Sequence, residues 1–323
     1  MVIHLGAGHK ENTMRASSAF RPTLAHVKMV DRILVTCAVA ILWLLHFLPL
    51  AWLATLGRGL GFLLYVFGRK RRSIARKNLD LCFPELLPEE RMRLVKDHFG
   101  FLGRSLLERG LLWWSSRARL EQLIRVDGDA KVRALLAAGQ PVILLVPHFV
   151  GIDAGGTAIA MRFNTVNIYA EQSSPTFDSL ILKGRHRFGD QLLLSRQDGT
   201  RITIRAMKAG RPFHYSPDTN TRRRAATFVP FFGIPAATTN GLSRLAKAGG
   251  AVVMPCVTRI LPAGQGYLVE IGDPWPDFPT EDSEADTARM NLWIESAIRT
   301  MPAQYFWVHR RFKTRPLGET RIY

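Results

Sequence analysis

Short apolar runs and helically spaced segments follow one another along most of the chain. Runs that suit strands lie at Val142–Val146, Val166–Ala170, Gln191–Leu194, Phe213–Ser216, Ala251–Val257 and Tyr267–Ile271. Segments with helical spacing lie at Ile152–Arg162, Thr176–Phe188, Arg201–Lys208, Thr239–Lys247 and Glu281–Thr300. Strands that alternate with helices predict an α/β fold, with a mostly parallel central sheet flanked by helices.

Two further helices are predicted ahead of this alternation. One begins at Pro88, a residue that suits the first helical position, and ends at Trp114. The other begins near Asp129, which suits an N-cap, and ends at Gly139. Because the chain shows no repeat and no low-complexity linker, we expect residues 69–323 to form a single domain.

An apolar run, Ile33 to Leu56, lies near the start of the chain and carries no formal charge. About 20 apolar residues suffice to cross a bilayer. We therefore predict a membrane anchor over residues 29–68. The anchor is either one transmembrane helix or a broken pair of apolar helices, since Pro49 can interrupt the run. A buried core helix is a further alternative. Residues 1–28 are expected to form a disordered tail.

The charge balance indicates an anionic partner. The chain has 44 Lys and Arg against 26 Asp and Glu, a formal net charge of +18. No helix-turn-helix, zinc-finger or RNP-like pattern accompanies this charge, so we do not expect nucleic acid to be the partner. Lys and Arg are more frequent in residues 57–77 than in 13–32, which predicts that the domain lies on the cytoplasmic side. The 3 cysteines are far apart and indicate neither a disulfide framework nor a metal site.

The best candidate for chemistry is His148. It follows a predicted strand directly, and ligands of open α/β sheets bind beyond the carboxyl ends of the strands. Asp153 falls in the first turn of the next helix, where its carboxylate can accept a hydrogen bond from one imidazole nitrogen. The other nitrogen can then take a proton. The alternative is a helix N-terminus beside an incidental histidine, and spacing alone favours that alternative.

No protein nucleophile is evident beside this pair. The segment "GLSRL" at Gly241 lacks the last glycine of a G-x-S-x-G elbow, and no cysteine lies in an activating stretch. We therefore expect the histidine to deprotonate a hydroxyl of the substrate, which attacks an activated acyl carbonyl. Neither a metal nor another cofactor is expected, since His148 and Asp153 have no third ligand at suitable spacing.

Several blocks of the chain resemble a known family. "HFVGID", which begins at His148, resembles the H-x4-D/E signature of the glycerolipid acyltransferase superfamily. The late acyltransferases of lipid A biosynthesis have motifs similar to "SPTFDSLILKGRHRFG", "SRQDGTRITIRAMKAG", "HYSPDTN", "FVPFFGIPAATTNGLSRLA", "CFPEL", "SLLERGLLWW" and "PAQYFWVHRRFKTRP". The likeness covers about residues 33–316, and the combination is far more specific than any single block.

The resemblance implies transfer of a fatty acyl chain from acyl carrier protein. The acceptor would be the 3-hydroxyl of an acyl chain on a phosphorylated, Kdo-bearing lipid A precursor. The domain would lie on the cytoplasmic face of a bacterial inner membrane, in contact with its phospholipid. Two alternatives stay open: an acyl-CoA-dependent enzyme that acts on another glycolipid or hydroxy-acyl lipid, and a non-catalytic lipid-binding protein that retains the fold.

The resemblance also implies roles for individual residues. His148 would be the general base and Asp153 its orienting partner. Arg187, in the R-x-R block, would stabilise the oxyanion or bind a lipid phosphate, unless it is a surface arginine. Asp218 and Arg205 would belong to the same network, although an aspartate that forms a turn after proline is the alternative for Asp218.

Two more segments carry expectations of this kind. Arg222, Arg223 and Arg224 would contact the carrier protein or a phosphate, or form a solvated loop. Phe231, Phe232 and Gly233 would shape an acyl groove, with a core strand and turn as the alternative. The chain departs from the family at Asn220, where an aspartate is usual, so a charged role at that position is in doubt.

Overall fold

The structure, a computed structural model, describes residues 24–169, 175–195 and 199–323. Its helices are α1 (Leu24–Leu45), α2 (Leu50–Phe67), α3 (Arg69–Cys82), α4 (Pro88–Trp114), α5 (Arg117–Leu123), α6 (Asp129–Ala137), α7 (Ile152–Ala160), α8 (Pro175–Arg185), α9 (Thr200–Lys208), α10 (Gly241–Gly249) and α11 (Ser283–Thr300). Its strands are β1 (Ile124–Asp127), β2 (Val142–Leu145), β3 (Val166–Tyr169), β4 (Leu192–Ser195), β5 (Phe213–Tyr215), β6 (Thr227–Phe231), β7 (Ile234–Thr238), β8 (Val252–Ile260) and β9 (Tyr267–Ile271).

A sheet of seven strands forms the centre of the fold, in the order β1-β9-β8-β2-β5-β3-β4. All neighbouring pairs are parallel except β8 and β9. The prediction of an α/β fold with a mostly parallel sheet is therefore confirmed. Strand β2 is buried throughout, with Ile143 and Leu145 in the core on one face and Val142 and Leu144 in the core on the other. A strand covered on both faces reads as the continuous apolar run seen in the sequence.

Strands β6 and β7 form a separate antiparallel hairpin. Pro230 pairs with Pro235. Proline has no backbone N–H to donate to a neighbouring strand, and it is tolerated here because, among the described residues, no third strand pairs with this hairpin. The two-residue turn between the strands is Phe232 and Gly233, with φ of 52° and 76°. Such positive angles match the twist of paired strands and suit glycine at the second position. The sequence analysis did not predict this hairpin, because the two prolines interrupt the pattern that is typical of strands.

The apolar run at residues 33–56 is broken into two helices. Helix α1 ends at Leu45, and α2 begins at Leu50, directly after Pro49. Proline cannot continue a helix because it lacks the N–H and its ring clashes with the preceding turn. A single unbroken helix is therefore wrong, and the broken pair is the form observed. Of the predicted disordered tail, residues 1–23 lie outside the described part of the chain.

One side of helix α2 is apolar and exposed, and the other side packs against the rest of the protein. Within the described residues it is the one helix long and apolar enough to cross a membrane. Trp52, Phe62 and Phe67 are exposed by 66%, 65% and 78%. On its other side α2 packs against α4, where a Cβ atom at Gly61 would lie 2.2 Å from the carbonyl oxygen of Phe99. Only glycine allows the two backbones to approach so closely.

The docking of α2 on α4 predicts a difference between two glycines of the same helix. Gly61→Val should lower the free energy of unfolding by about 2 kcal/mol, because the new side chain collides with backbone. Gly59→Val, where a Cβ atom meets nothing within 4 Å, should raise the free energy of unfolding by about 0.3 kcal/mol, because valine has a slightly higher helix propensity than glycine. Denaturant unfolding of both variants in detergent measures this, and equal stabilities would show that α2 does not rest on α4.

Candidate active site

Two adjacent parallel strands bring the central residues of the site together. Strand β2 leads to His148, and its neighbour β5 leads to Asp218. The pairing continues past the strands, since the backbone N–H of Val146 donates to the carbonyl of Tyr215 at 2.8 Å. Parallel strands end at the same edge of a sheet, so residues separated by 70 positions meet there.

His148 and Asp218 are joined by two hydrogen bonds. The imidazole Nδ1 lies 2.6 Å from Oδ1 of Asp218, and the backbone N–H of His148 donates to Oδ2 at 2.9 Å. Asp218 is buried, whereas the His148 side chain is 34% exposed. Burial raises the pKa of Asp218, but the charge of His148 and its two hydrogen bonds lower it to about 2. The ionised carboxylate holds a proton on Nδ1, which makes Nε2 the basic nitrogen.

Asp153 has a different partner from the one predicted. Its Oδ2 accepts a hydrogen bond from Arg109 of α4. The charge of Arg109, and then that of Arg185, keeps the pKa of Asp153 below its usual value despite burial. The prediction that Asp153 orients His148 is therefore corrected: Asp218 does so. The physical reason is that Asp153, in the first turn of α7, lies against α4, whereas β5 delivers Asp218 to Nδ1.

Close packing of α7 on the sheet fixes the position of Asp153. A Cβ atom at Gly155 would lie 1.9 Å from Oγ1 of Thr258 on β8. Glycine at this position lets the helix lie directly on the strand, which sets the distance between Asp153 and Arg109.

Cationic and neutral groups surround Asp153. Arg185, the last residue of α8, lies over the ring of Tyr169 at 5.2 Å and near enough to act on Asp153. His214 of β5 is half-buried, and loss of hydration together with the charges of Arg185 and His148 lowers its pKa to about 4. His214 is thus neutral at pH 7. Arg109 and Arg185 give this part of the site its positive charge.

Arg187 does not belong to this cluster. Its guanidinium donates to the carbonyl of Leu112 at 3.0 Å and to that of Ser115. These carbonyls lie at the end of α4, where a cation satisfies free acceptors and interacts favourably with the helix dipole. Helix α8 ends at Arg185, and the following turn directs Arg187 to α4, so the oxyanion or lipid-phosphate role of Arg187 stays a prediction. Arg185, two positions earlier in the R-x-R block, is the arginine whose charge acts on Asp153.

The remaining predicted residues lie apart from His148. Arg205 is exposed on α9. Arg222, Arg223 and Arg224 are exposed in the segment between β5 and β6, where Arg223 donates to the carbonyl of Arg315 at 2.9 Å. Their predicted contacts with a phosphate or carrier protein stay predictions.

The three residues predicted to shape an acyl groove form the hairpin instead. Phe231 is fully buried, with its ring centroid 6.1 Å from those of Tyr305 and Phe312. Phe232 and Gly233 form the turn. Phe231 lies in a core strand and Phe232 and Gly233 in its turn, as the alternative describes, and the acyl groove stays a prediction.

Sequence reasoning missed Arg109 and the segment that follows α11. Arg109 lies within "SLLERGLLWW", a block already noted for its resemblance, but nothing in its spacing indicated a partner. From the C-terminal segment, the backbone N–H of Phe306 donates to the carbonyl of His148 at 3.0 Å. Among the residues that the structure describes, no group of three His, Cys, Asp or Glu gathers at metal-binding distance, and the expectation of no metal stays a prediction.

The site defines a class of protein. A buried ionised carboxylate fixes an imidazole at the carboxyl edge of an α/β sheet, and two guanidinium groups act on Asp153 in the helix that follows. This arrangement is typical of the active site of an enzyme.

Comparison with known sequences identifies the family. Residues 21–314 match the bacterial lipid A biosynthesis acyltransferases. A lipid A biosynthesis lauroyltransferase of Escherichia coli (strain K12) is 36% identical over 87% of this chain and 91% of its own. A palmitoleoyltransferase of the same pathway and organism is 33% identical over 88% and 92%, and a myristoyltransferase 28% over 84% and 83%. The chain belongs to the bacterial lipid A biosynthesis acyltransferase family, as the resemblance indicated.

Acid should destabilise the protein through His214. The pKa of His214 is lower in the folded protein than in the unfolded chain, so the unfolded chain binds the proton first as the pH falls. The contribution of neutral His214 to stability is therefore complete above pH 6.5 and is lost as the pH falls towards 4. Between pH 7 and 5 this amounts to about 2 kcal/mol.

Denaturant unfolding of His214→Gln at both pH values measures the effect. The variant should lose about 2 kcal/mol less than the wild type, whereas His186→Gln, at an exposed histidine, should lose as much as the wild type. A parallel loss in all three proteins would contradict a His214 that is neutral in the folded protein.

Proposed function

We propose that this protein transfers a fatty acyl chain from the thioester of acyl carrier protein to a lipid A precursor. The acceptor is the 3-hydroxyl of an acyl chain on the phosphorylated, Kdo-bearing lipid, and His148 is the general base. The observation that carries the proposal is the 2.6 Å hydrogen bond between His148 and the buried Asp218, at the sheet edge of a chain from this family.

In the proposed reaction, Nε2 of His148 takes the proton of the acceptor hydroxyl as its oxygen attacks the thioester carbonyl. Asp218 stabilises the imidazolium that forms, as the carboxylate of a catalytic triad does. The positive charge of Arg185 and Arg109 favours the oxyanion of the tetrahedral intermediate. Collapse of that intermediate breaks the C–S bond and leaves the new ester, and the imidazolium returns its proton to the leaving thiolate.

The exposed side of α2 supports a location at the membrane. Its large apolar side chains suit the acyl region, and the basic residues Arg69, Lys70 and Arg71 follow at the start of α3, where they suit anionic headgroups. We infer that the domain rests on the cytoplasmic face of the inner membrane, where the acceptor lipid is embedded and a soluble acyl donor is available.

Charge supports an acidic protein as the donor. The chain carries a formal net charge of +18, and Arg222, Arg223 and Arg224 are exposed four to six positions after Asp218. A cationic surface attracts an acidic carrier and raises the rate of encounter.

Purified protein tests the proposal directly. With a Kdo-bearing acceptor, acyl carrier protein thioester should support transfer, acyl-CoA should be at least about tenfold poorer, and mass spectrometry should show one added acyl ester. His148→Ala should lower the rate about 10³-fold, because the base is lost. His186→Ala is the control.

Two outcomes would overturn it. Comparable turnover with acyl-CoA would favour the alternative donor and remove the role of the carrier. Unchanged lipid A acylation in cells that carry His148→Ala, where deletion of the gene does change it, would favour a non-catalytic lipid-binding protein.

The two arginines of the R-x-R block should respond in opposite ways. Arg185→Ala should lower kcat about 10²-fold without loss of stability, because its charge faces the site. Arg187→Ala should lower the free energy of unfolding by about 2 kcal/mol through the loss of hydrogen bonds to two carbonyls, while kcat per folded molecule is retained. Steady-state kinetics and denaturant unfolding measure both, and the reverse pattern would restore Arg187 to the site.

A further inference from the structure

The segment that follows α11 runs past both loops of the site. Against the first loop, the backbone N–H of Phe306 donates to the carbonyl of His148 at 3.0 Å. Against the second loop, Nε2 of His309 accepts a hydrogen bond from the backbone N–H of Asn220 at 2.9 Å. Asn220 lies two positions after Asp218. The segment therefore joins the loop of the imidazole to the loop of its carboxylate.

These contacts close a ring of hydrogen bonds. From His148 the ring passes through Phe306 to His309, whose backbone N–H donates to the carbonyl of Phe306 at 3.1 Å. The imidazole of His309 then binds Asn220, and the chain leads back two positions to Asp218. The carboxylate of Asp218 completes the ring through its two hydrogen bonds to His148. Two side chains thus make links in the ring, that of Asp218 and that of His309.

Both partners of the bond between His309 and Asn220 are fixed by further hydrogen bonds. The buried side chain of Asn78 on α3 donates to the carbonyls of Trp307 and His309, each at 2.7 Å. The side-chain oxygen of Asn220 accepts from the backbone N–H of Thr314 at 2.8 Å, and its amide nitrogen donates to the hydroxyl of that threonine at 3.0 Å. The imidazole of His309 therefore bridges two anchored stretches of backbone.

The imidazole of His309 is neutral at pH 7. A ring nitrogen that accepts a hydrogen bond from an N–H group carries no proton, so the ring proton of His309 lies on Nδ1. The residue is half-buried, and loss of hydration lowers its pKa to about 4 against the opposing charge of Asp218. The charges of Arg311, His148 and Arg71 act in the same direction as the loss of hydration.

We propose that His309 is a positioning residue for the general base. Its neutral imidazole holds the backbone of Asn220 and thereby keeps the carboxylate of Asp218 in hydrogen-bonding position against His148. The inference rests on the proposed function, since it assigns a support to the same base. A loop that is free to shift would lengthen the hydrogen bonds of Asp218 and reduce the fraction of molecules whose base is correctly oriented.

Two substitutions at His309 test the proposal. Glutamine can place its side-chain oxygen near the position of Nε2 and accept from the same N–H, whereas leucine has no acceptor. We expect His309→Leu to lower kcat about tenfold and to leave KM for both substrates within about twofold, because the carboxylate is misplaced while substrate contacts are kept. His309→Gln should keep kcat within about threefold of the wild type. Equal losses of kcat in the two variants would overturn the inference.

The matched control is His98→Leu, at a buried histidine that holds the same segment elsewhere. Nδ1 of His98 on α4 lies 3.0 Å from the carbonyl oxygen of Ala303, and Nε2 has no hydrogen-bond partner among the described residues. The control should lose stability and keep its kcat per folded molecule, which denaturant unfolding and kinetics measure together. A loss of kcat as large as that of His309→Leu would show that the segment as a whole sets the rate, and would overturn the inference.

A double variant shows whether His309 acts through Asp218. The rate of His309→Leu/Asp218→Ala should equal that of Asp218→Ala alone within about twofold, because no carboxylate is then left to position. A further loss in the double variant, as large as that of His309→Leu in the wild-type background, would mean that His309 acts by another route, and would contradict the proposal.

Hydrogen exchange without substrate separates this inference from the proposed function. The backbone amide of Asn220 should exchange about tenfold faster in His309→Leu than in the wild type, and at close to the wild-type rate in His309→Gln. Mass spectrometry of peptides that end on either side of Asn220 measures this. Unchanged exchange in His309→Leu would overturn the role of His309, whatever the enzyme's substrates. Full turnover by His148→Ala would instead overturn the proposed function, and the exchange would still report on His309.

Discussion

The hydrogen bonds between His148 and the buried carboxylate of Asp218 join the ends of β2 and β5, and the site is organised around them. Asp218 is 1% exposed, so its charge is stable only because the imidazole and the backbone N–H of His148 satisfy it. Neither loop could move far without leaving that charge unpaired. The segment that follows α11 lies against both loops and restricts them further. The requirement to satisfy one buried charge thus fixes the imidazole.

Helix α4 links this site to the part of the protein that meets the membrane. Near its middle, glycines allow α2 to pack on it backbone to backbone. About two turns further on, Arg109 binds Asp153, and the last carbonyls of the helix accept hydrogen bonds from Arg187. The apolar side of α2 and the charged cluster are therefore held at a set distance by one rigid element. This arrangement suits an enzyme that acts on a lipid A precursor.

Much of the fold could be predicted because local patterns dictate it. Strand β2 reads as an uninterrupted apolar run since both its faces are buried, and the helices after it show helical spacing. Strand β1 was not predicted because it is short and carries charged residues. The β6–β7 hairpin was not predicted because of its prolines. At the site, His148 was found from its place after a strand, but the choice between Asp153 and Asp218 was beyond the sequence. Both carboxylates lie in suitable loops, and only the order of strands in the sheet decides which one meets Nδ1.

By itself, the sequence determined the fold class, the family and the histidine. It also gave a broken pair of helices as one alternative for the apolar run. Each of these results depends on residues close together in the chain or on motifs read directly. The tertiary structure alone decided the partners. Asp218 lies 70 positions from His148, and Arg109 lies 44 positions from Asp153. Arg185 and Arg187 differ by two positions, yet one faces the site and the other the end of α4. Contacts of this kind follow from strand order and helix packing, which are properties of the whole chain and not of any segment within it.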